Sequence, residues 1–153
     1  MFVYGQTAAN AIAVMSFLAA EPTRRVGSGE IAEARRISKA LTAKLLTQLA
    51  SARFVIGQPG PGGGYMLAKD PSEISLLDIA SIFEQIDPPS VCAFGHGWCG
   101  TGEPCPLHDP IAQLVEFNRR FLEGTRLSVF LGAEKKEFQT ASTSDHNHET
   151  IPS

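Results

Sequence analysis

A chain of 153 residues with 43% hydrophobic content can bury a core without disulfide staples, and it fits one compact domain with at most an appendage. Its formal net charge of -3 would exclude a nucleic-acid partner only if the charge were evenly spread. It is not: Arg24, Arg25, Arg35, Arg36, Lys39, Lys44 and Arg53 face only Glu30 and Glu33, whereas the stretch from Asp70 to Asp109 is acidic and has no Lys or Arg.

The first twenty residues lack a basic leader region, and the apolar run over 12–20 is interrupted by Ser16 and too short to span a bilayer. A cytoplasmic protein with no membrane partner is therefore expected. Ile12, Met15, Phe17 and Leu18 among small residues predict a buried helix over 7–20, closed before Pro22. A shorter helix is predicted from Ser28, read as its N-cap, through Ile31, Ala32 and Ala34 to Arg36. A third opens on Ser38 as N-cap, with Leu41, Leu45, Leu46 and Leu49 forming one apolar stripe.

The opposite face of the third helix carries Ala40, Ala43, Lys44, Thr47 and Ser51, with Lys39 at its start: flat, small and mildly basic. Two short helices joined around Ile37 have the form of a helix-turn-helix whose second helix enters the major groove. By themselves they read more simply as a helical hairpin with one side in water. The next segment changes the balance. Residues 53–56 read as a strand, 57–64 as a turn built from glycine and proline, and 65–68 as a returning strand, which makes a wing. A phosphate-binding loop of an NTPase is excluded, because Gly64 is followed by Tyr65, Met66 and Leu67 rather than by Lys and Ser or Thr. On this reading DNA is met by Arg24, Arg25, Ser28, Ser38, Lys39, Ala40, Ala43, Lys44, Gln58, Gly60, Gly62 and Gly63.

Ser75 and Asp78 form a capping-box pair ahead of a helix with Leu76, Leu77, Ile79, Ile82 and Phe83, ended by Pro88 and Pro89. Beyond Pro110 a long helix is predicted, broken by Gly124 and resumed from Thr125 to Leu131. Its Ile111, Leu114, Val115, Phe117, Phe121 and Leu122 are expected to meet a second copy of the chain. The polar residues 134–153 are expected to be a disordered tail, and its His146 and His148 are assigned no role.

Between these helices lie the chain's only cysteines, Cys92, Cys99 and Cys105, interleaved with glycines and followed by His108. Three thiols cannot all pair within one chain, so they read as ligands converging on one metal. Spacers of six and five residues match neither ferredoxin nor zinc-ribbon patterns, and on the residues alone zinc and an iron-sulfur cluster are equally compatible. A metal-free thiol switch is a further alternative. An enzyme with a cysteine nucleophile and His96 or His108 as base is not expected, since no oxyanion-hole element or orienting acid accompanies them.

The order of helix, helix-turn-helix, Pro59-Gly60-Pro61-Gly62-Gly63-Gly64-Tyr65 on the wing, and three clustered cysteines with Leu107-His108 after the last resembles the Rrf-two family of bacterial transcription regulators, over residues 4 to 131. The resemblance implies a mainly α fold with a small β-hairpin, divided into a winged helix-turn-helix (1–87), a cysteine-rich loop (88–109), a dimerisation helix (110–133) and the tail. It implies a homodimeric repressor of double-stranded DNA whose affinity is set by a 2Fe-2S or 4Fe-4S cluster on Cys92, Cys99 and Cys105, sensing cluster status, redox state or nitric oxide. His108 falls on the fourth ligand of some members, with His96 inside the loop as the alternative. The first-helix position that completes the cluster in others is Ala9 here, which cannot ligate, with Asn10 adjacent. Two departures fall on the DNA side: the arginine that many members carry before the wing glycines is Pro59 after Gln58, and a recognition-helix glutamate is Ala43. A different operator preference is expected.

Overall fold

The computed structural model describes residues 4–84 and 106–133. The three cysteines, Pro88, Pro89, His96 and the tail lie outside the described residues. Helix α1 (Gln6–Ala20) is apolar on nearly every side: Ala8, Ala11, Ile12, Val14, Met15, Leu18 and Ala19 are buried. It is the central element, packed against most of the others. Its N-cap, Gly5, offers no side chain. Glu84 does the capping from a distance, its two carboxylate oxygens accepting from the Gly5 N–H at 3.0 and 2.8 Å.

Helix α2 (Ser28–Arg35) and helix α3 (Lys39–Ser51) follow, joined by a three-residue turn. Ser28 is the first helical residue rather than the cap; Gly27 holds the N-cap position with no side-chain bond. A serine inside the first turn cannot reach back to the orphan N–H groups that a cap accepts from. Ser38 caps α3 as its sequence suggests, accepting from the Leu41 N–H at 3.2 Å. Strands β1 (Val55–Gln58) and β2 (Gly64–Leu67) pair antiparallel with Val55 opposite Leu67 and Gln58 opposite Gly64. The hairpin thus reaches further toward its tip than the sequence indicates, drawing Gly57, Gln58 and Gly64 into the ladder. Val26 adds a short third edge: its N–H donates to the Tyr65 carbonyl at 2.9 Å and its carbonyl accepts from the Tyr65 N–H at 2.7 Å.

A single 3₁₀ turn (Pro71–Glu73) leads to helix α4 (Leu76–Phe83), where the capping box is complete: Asp78 N–H donates to Ser75 Oγ at 3.0 Å and Ser75 N–H to Asp78 Oδ2 at 2.8 Å. Helix α5 spans His108–Gly124. It starts before Pro110, since proline is tolerated in a first turn where its missing N–H has no partner to lose. It does not resume after Gly124. Arg126 instead bridges to Ser75, with Leu76 N–H donating to the Thr125 carbonyl at 3.0 Å and Leu127 N–H to the Ile74 carbonyl at 2.9 Å. Those bonds hold the chain extended, and only a 3₁₀ turn (Leu127–Phe130) follows, with Leu127 buried against the core. Among the described residues no helix is long and apolar enough to cross a membrane.

Candidate nucleic-acid interface and ligand residues

Helix α3 divides cleanly by face. Thr42, Leu45, Leu46 and Leu49 are buried, while Lys39, Ala40, Ala43, Lys44, Thr47, Gln48 and Ser51 are exposed. The Thr47 hydroxyl donates to the Ala43 carbonyl at 2.9 Å and the Ser51 hydroxyl to the Thr47 carbonyl at 3.0 Å. Both bonds are internal to the helix, so Lys39, Lys44 and Gln48 are its longest outward polar groups. Gln48 did not stand out in the sequence because glutamine is an ordinary filler of exposed helix positions; only its place one turn beyond Lys44 marks it.

The wing lies beside this face. Thr47, Ala50 and Ser51 of α3 and Gly57, Gln58, Pro59 and Tyr65 of the hairpin line an open cleft between them. Gly60 and Gly62 have φ of 89° and 73°, the left-handed region that favours glycine, and both are exposed at the tip. Gly63 is required for a different reason: a Cβ there would stand 2.2 Å from the Gln58 carbonyl oxygen. Gln58 itself is exposed at the end of β1.

The other residues expected at DNA are placed less uniformly. Arg24 pairs with Glu30 at 2.7 Å and with Glu21 at 3.9 Å. The hydrogen bond to Glu30, then its charge, raise the guanidinium pKa further above its ordinary value. Arg25 is exposed, and Ser28 is half-buried in the first turn of α2.

Of the four residues expected to ligate a metal, His108 alone is described. It is the first residue of α5 and half-buried. Among the described residues no group of three or more His, Cys, Asp or Glu gathers at one point. Cys105 precedes His108 by one helical turn of sequence, and three thiols with one imidazole are a soft, sulfur-rich donor set that suits iron-sulfur chemistry. From His108 onward α5 presents two faces. Glu116 bonds to Arg120 at 2.7 Å and Arg119 to Glu123 at 3.5 Å along one side, and Arg120 holds the Glu116 carboxyl below its usual pKa. Leu107, Ile111, Leu114, Phe117 and Phe121 are exposed, Phe117 by 71%, and Val115 is half-buried. Leu122, expected in that same surface, is instead fully buried in the core of its own chain, packed inward and unable to meet a second copy.

A three-helix core, a helix-turn-helix with one flat basic face and a glycine-tipped hairpin beside it define a winged helix-turn-helix protein. The chain belongs to the Rrf2 family, whose sequence model, described as an iron-dependent transcriptional regulator, matches residues 4–132. The HTH-type transcriptional regulator IscR of Klebsiella pneumoniae (strain 342) is 30% identical over 128 residues, covering 84% of this chain and 77% of that protein. Among solved structures, CymR (YrzC), the global cysteine regulator of B. subtilis, superimposes with a TM-score of 0.71 at 22% identity over 88% of this chain and 98% of that one. IscR of T. potens gives a TM-score of 0.63 at 19% identity over 93% and 92%. These two share the fold. The chain is an Rrf2-family transcription regulator.

Proposed function

We propose that this regulator is a homodimer whose affinity for double-stranded DNA is set by an iron-sulfur cluster held by Cys92, Cys99, Cys105 and His108. The observation that carries the reading is the position of His108: it opens the helix that also carries the exposed apolar face. A ligand bond to its imidazole therefore acts on the start of the element through which a second copy would be met. Similarity to the IscR of Klebsiella pneumoniae supports the cofactor class. When bound, such a cluster supplies redox chemistry, and an imidazole in place of one thiolate raises its potential. The chain's own part is mechanical. A cluster shared by Cys92, Cys99, Cys105 and His108 would be tied to the start of α5, so that its loss or modification would shift α5 and with it the separation of the two α3 helices. Paired half-sites lie roughly 34 Å apart, so a small change in separation is costly. A coupling of about 1–3 kcal/mol would change affinity some 5- to 150-fold.

A second reading has an observation of its own. A solved relative of the same fold is an oxidized form of Staphylococcus aureus CymR, which favours a metal-free switch in which two of the three thiols lose their hydrogens to an oxidant and join as a disulfide. Anaerobic isolation separates the two. Brown protein with visible absorbance that Cys99→Ala abolishes supports the cluster. Colourless, iron-free protein that forms an intramolecular disulfide on oxidation establishes the thiol switch, and one zinc per chain overturns both.

A further inference from the structure

Two residues other than glycine adopt left-handed backbone among those described, and both are arginines: Arg36 with φ 52° and Arg53 with φ 61°. Arg36 is the first residue past α2 and Arg53 the second past α3. Ile37 N–H returns to the Ala32 carbonyl at 3.0 Å across Arg36, and Phe54 N–H to the Leu49 carbonyl at 2.9 Å across Arg53. This is the helix-closing turn that favours glycine, because an L side chain there brings its Cβ against the neighbouring carbonyl. A residue held against its backbone preference is a pointer to function.

Position separates the two. Arg36 lies in the turn of the helix-turn-helix, two residues before the Ser38 cap, at the end of α3 that carries exposed Lys39 and Ala40. Its neighbour Arg35 turns inward: Nε donates to the Ala13 carbonyl at 3.0 Å, Nη2 to Ser16 Oγ at 3.3 Å, and the guanidinium lies 5.2 Å from the Phe17 ring centre. Arg36 does none of this. It is exposed, and its guanidinium has no ion pair or hydrogen bond among the described residues. Arg53 lies at the opposite end of α3, and nothing in the structure explains its conformation.

We propose that Arg36 is a phosphate-anchoring residue that binds the DNA backbone where α3 enters the major groove. The inference rests on the DNA-binding reading and adds a contact to it. Phosphate contacts fix orientation without reading bases, so Arg36 strengthens binding to every duplex alike.

The test is fluorescence anisotropy of the full chain with a labelled mixed-sequence duplex across a salt series. Arg36→Gly is expected to weaken binding roughly five- to tenfold at low salt and to reduce the slope of log affinity against log salt by about one. Arg53→Gly removes the same charge and relieves the same backbone conformation; it is expected to stay within about twofold of wild type, because it leaves the phosphate contact intact. Arg36→Lys, which keeps the charge, is expected to stay close to wild type. Thermal melts establish that each variant is folded. An Arg36→Gly affinity and slope equal to wild type overturn the assignment, and so does an equal loss in Arg53→Gly, which would reveal only net charge. Wild-type protein that binds no duplex at any salt overturns the DNA-binding reading itself and the contact with it.

Discussion

Thr42 shows how a single group can be at odds with an otherwise well-fitted helix. It is fully buried on the inner face of α3, and its Oγ1 has no hydrogen-bond partner among the described residues. Burying a hydroxyl unpaired costs about 1–3 kcal/mol on the scale of protein mutations. Thr42→Val keeps the branched shape and removes the orphan, so it is expected to stabilise the protein by about 1 kcal/mol, read as a higher urea midpoint with an unchanged slope. A lower midpoint would mean that the hydroxyl has a partner after all. Caps were legible at this scale wherever one residue decides the bond: Ser38, and Ser75 with Asp78, do what their spacing indicates. Ser28 is not the cap its sequence suggests, because Gly27 and Ser28 are both acceptable cap residues and Val26, pinned to Tyr65, precedes the one that takes the position.

At the scale of elements, the wing was legible and its register was not. Glycine and proline located the turn, but Gly57 and Gly64 belong to the strands for reasons that lie across space. The Tyr65 ring covers Gly57, where a Cβ would stand 2.9 Å from Cε1, and Gly64 lets the Val26 backbone approach to where a Cβ would stand 2.8 Å from its carbonyl carbon. Gly64 also has φ 128°. Gly64→Ala therefore loses on both counts, and a destabilisation on the order of 1–3 kcal/mol is expected by chemical denaturation. An unchanged midpoint would show that the Val26 edge can open freely. Helix α5 was found from its apolar stripe, yet the stripe could not say that Leu122 faces inward while Phe117 and Phe121 face outward. Periodicity gives a face; only the packed neighbours tell which body covers it.

For the whole molecule, the exposed row Leu107, Ile111, Leu114, Phe117 and Phe121 is larger than the scattered apolar residues of ordinary surfaces. If a second copy covers it, Phe117→Glu buries a charge and is expected to halve the mass seen by light scattering, with the helical circular dichroism of the monomer retained. A monomeric wild type would sink this assignment. The family was legible from the wing and cysteine motifs together, whereas the ligand set rests on residue chemistry and the family resemblance: Cys92, Cys99 and Cys105 lie outside the described residues, and the structure adds only where His108 sits.

The stitching of Val26 to Tyr65 has a consequence for how any signal must travel. The hairpin is hydrogen-bonded to the segment that runs straight into α2, and α2 leads through the short Arg36 turn into α3, against which it packs. Helix α3 and the wing are thus tied into one unit. If a second copy completes the regulator as proposed, the wing is badly placed to flap on its own, and the lever falls to how far apart and at what tilt the pair of units is presented to the duplex.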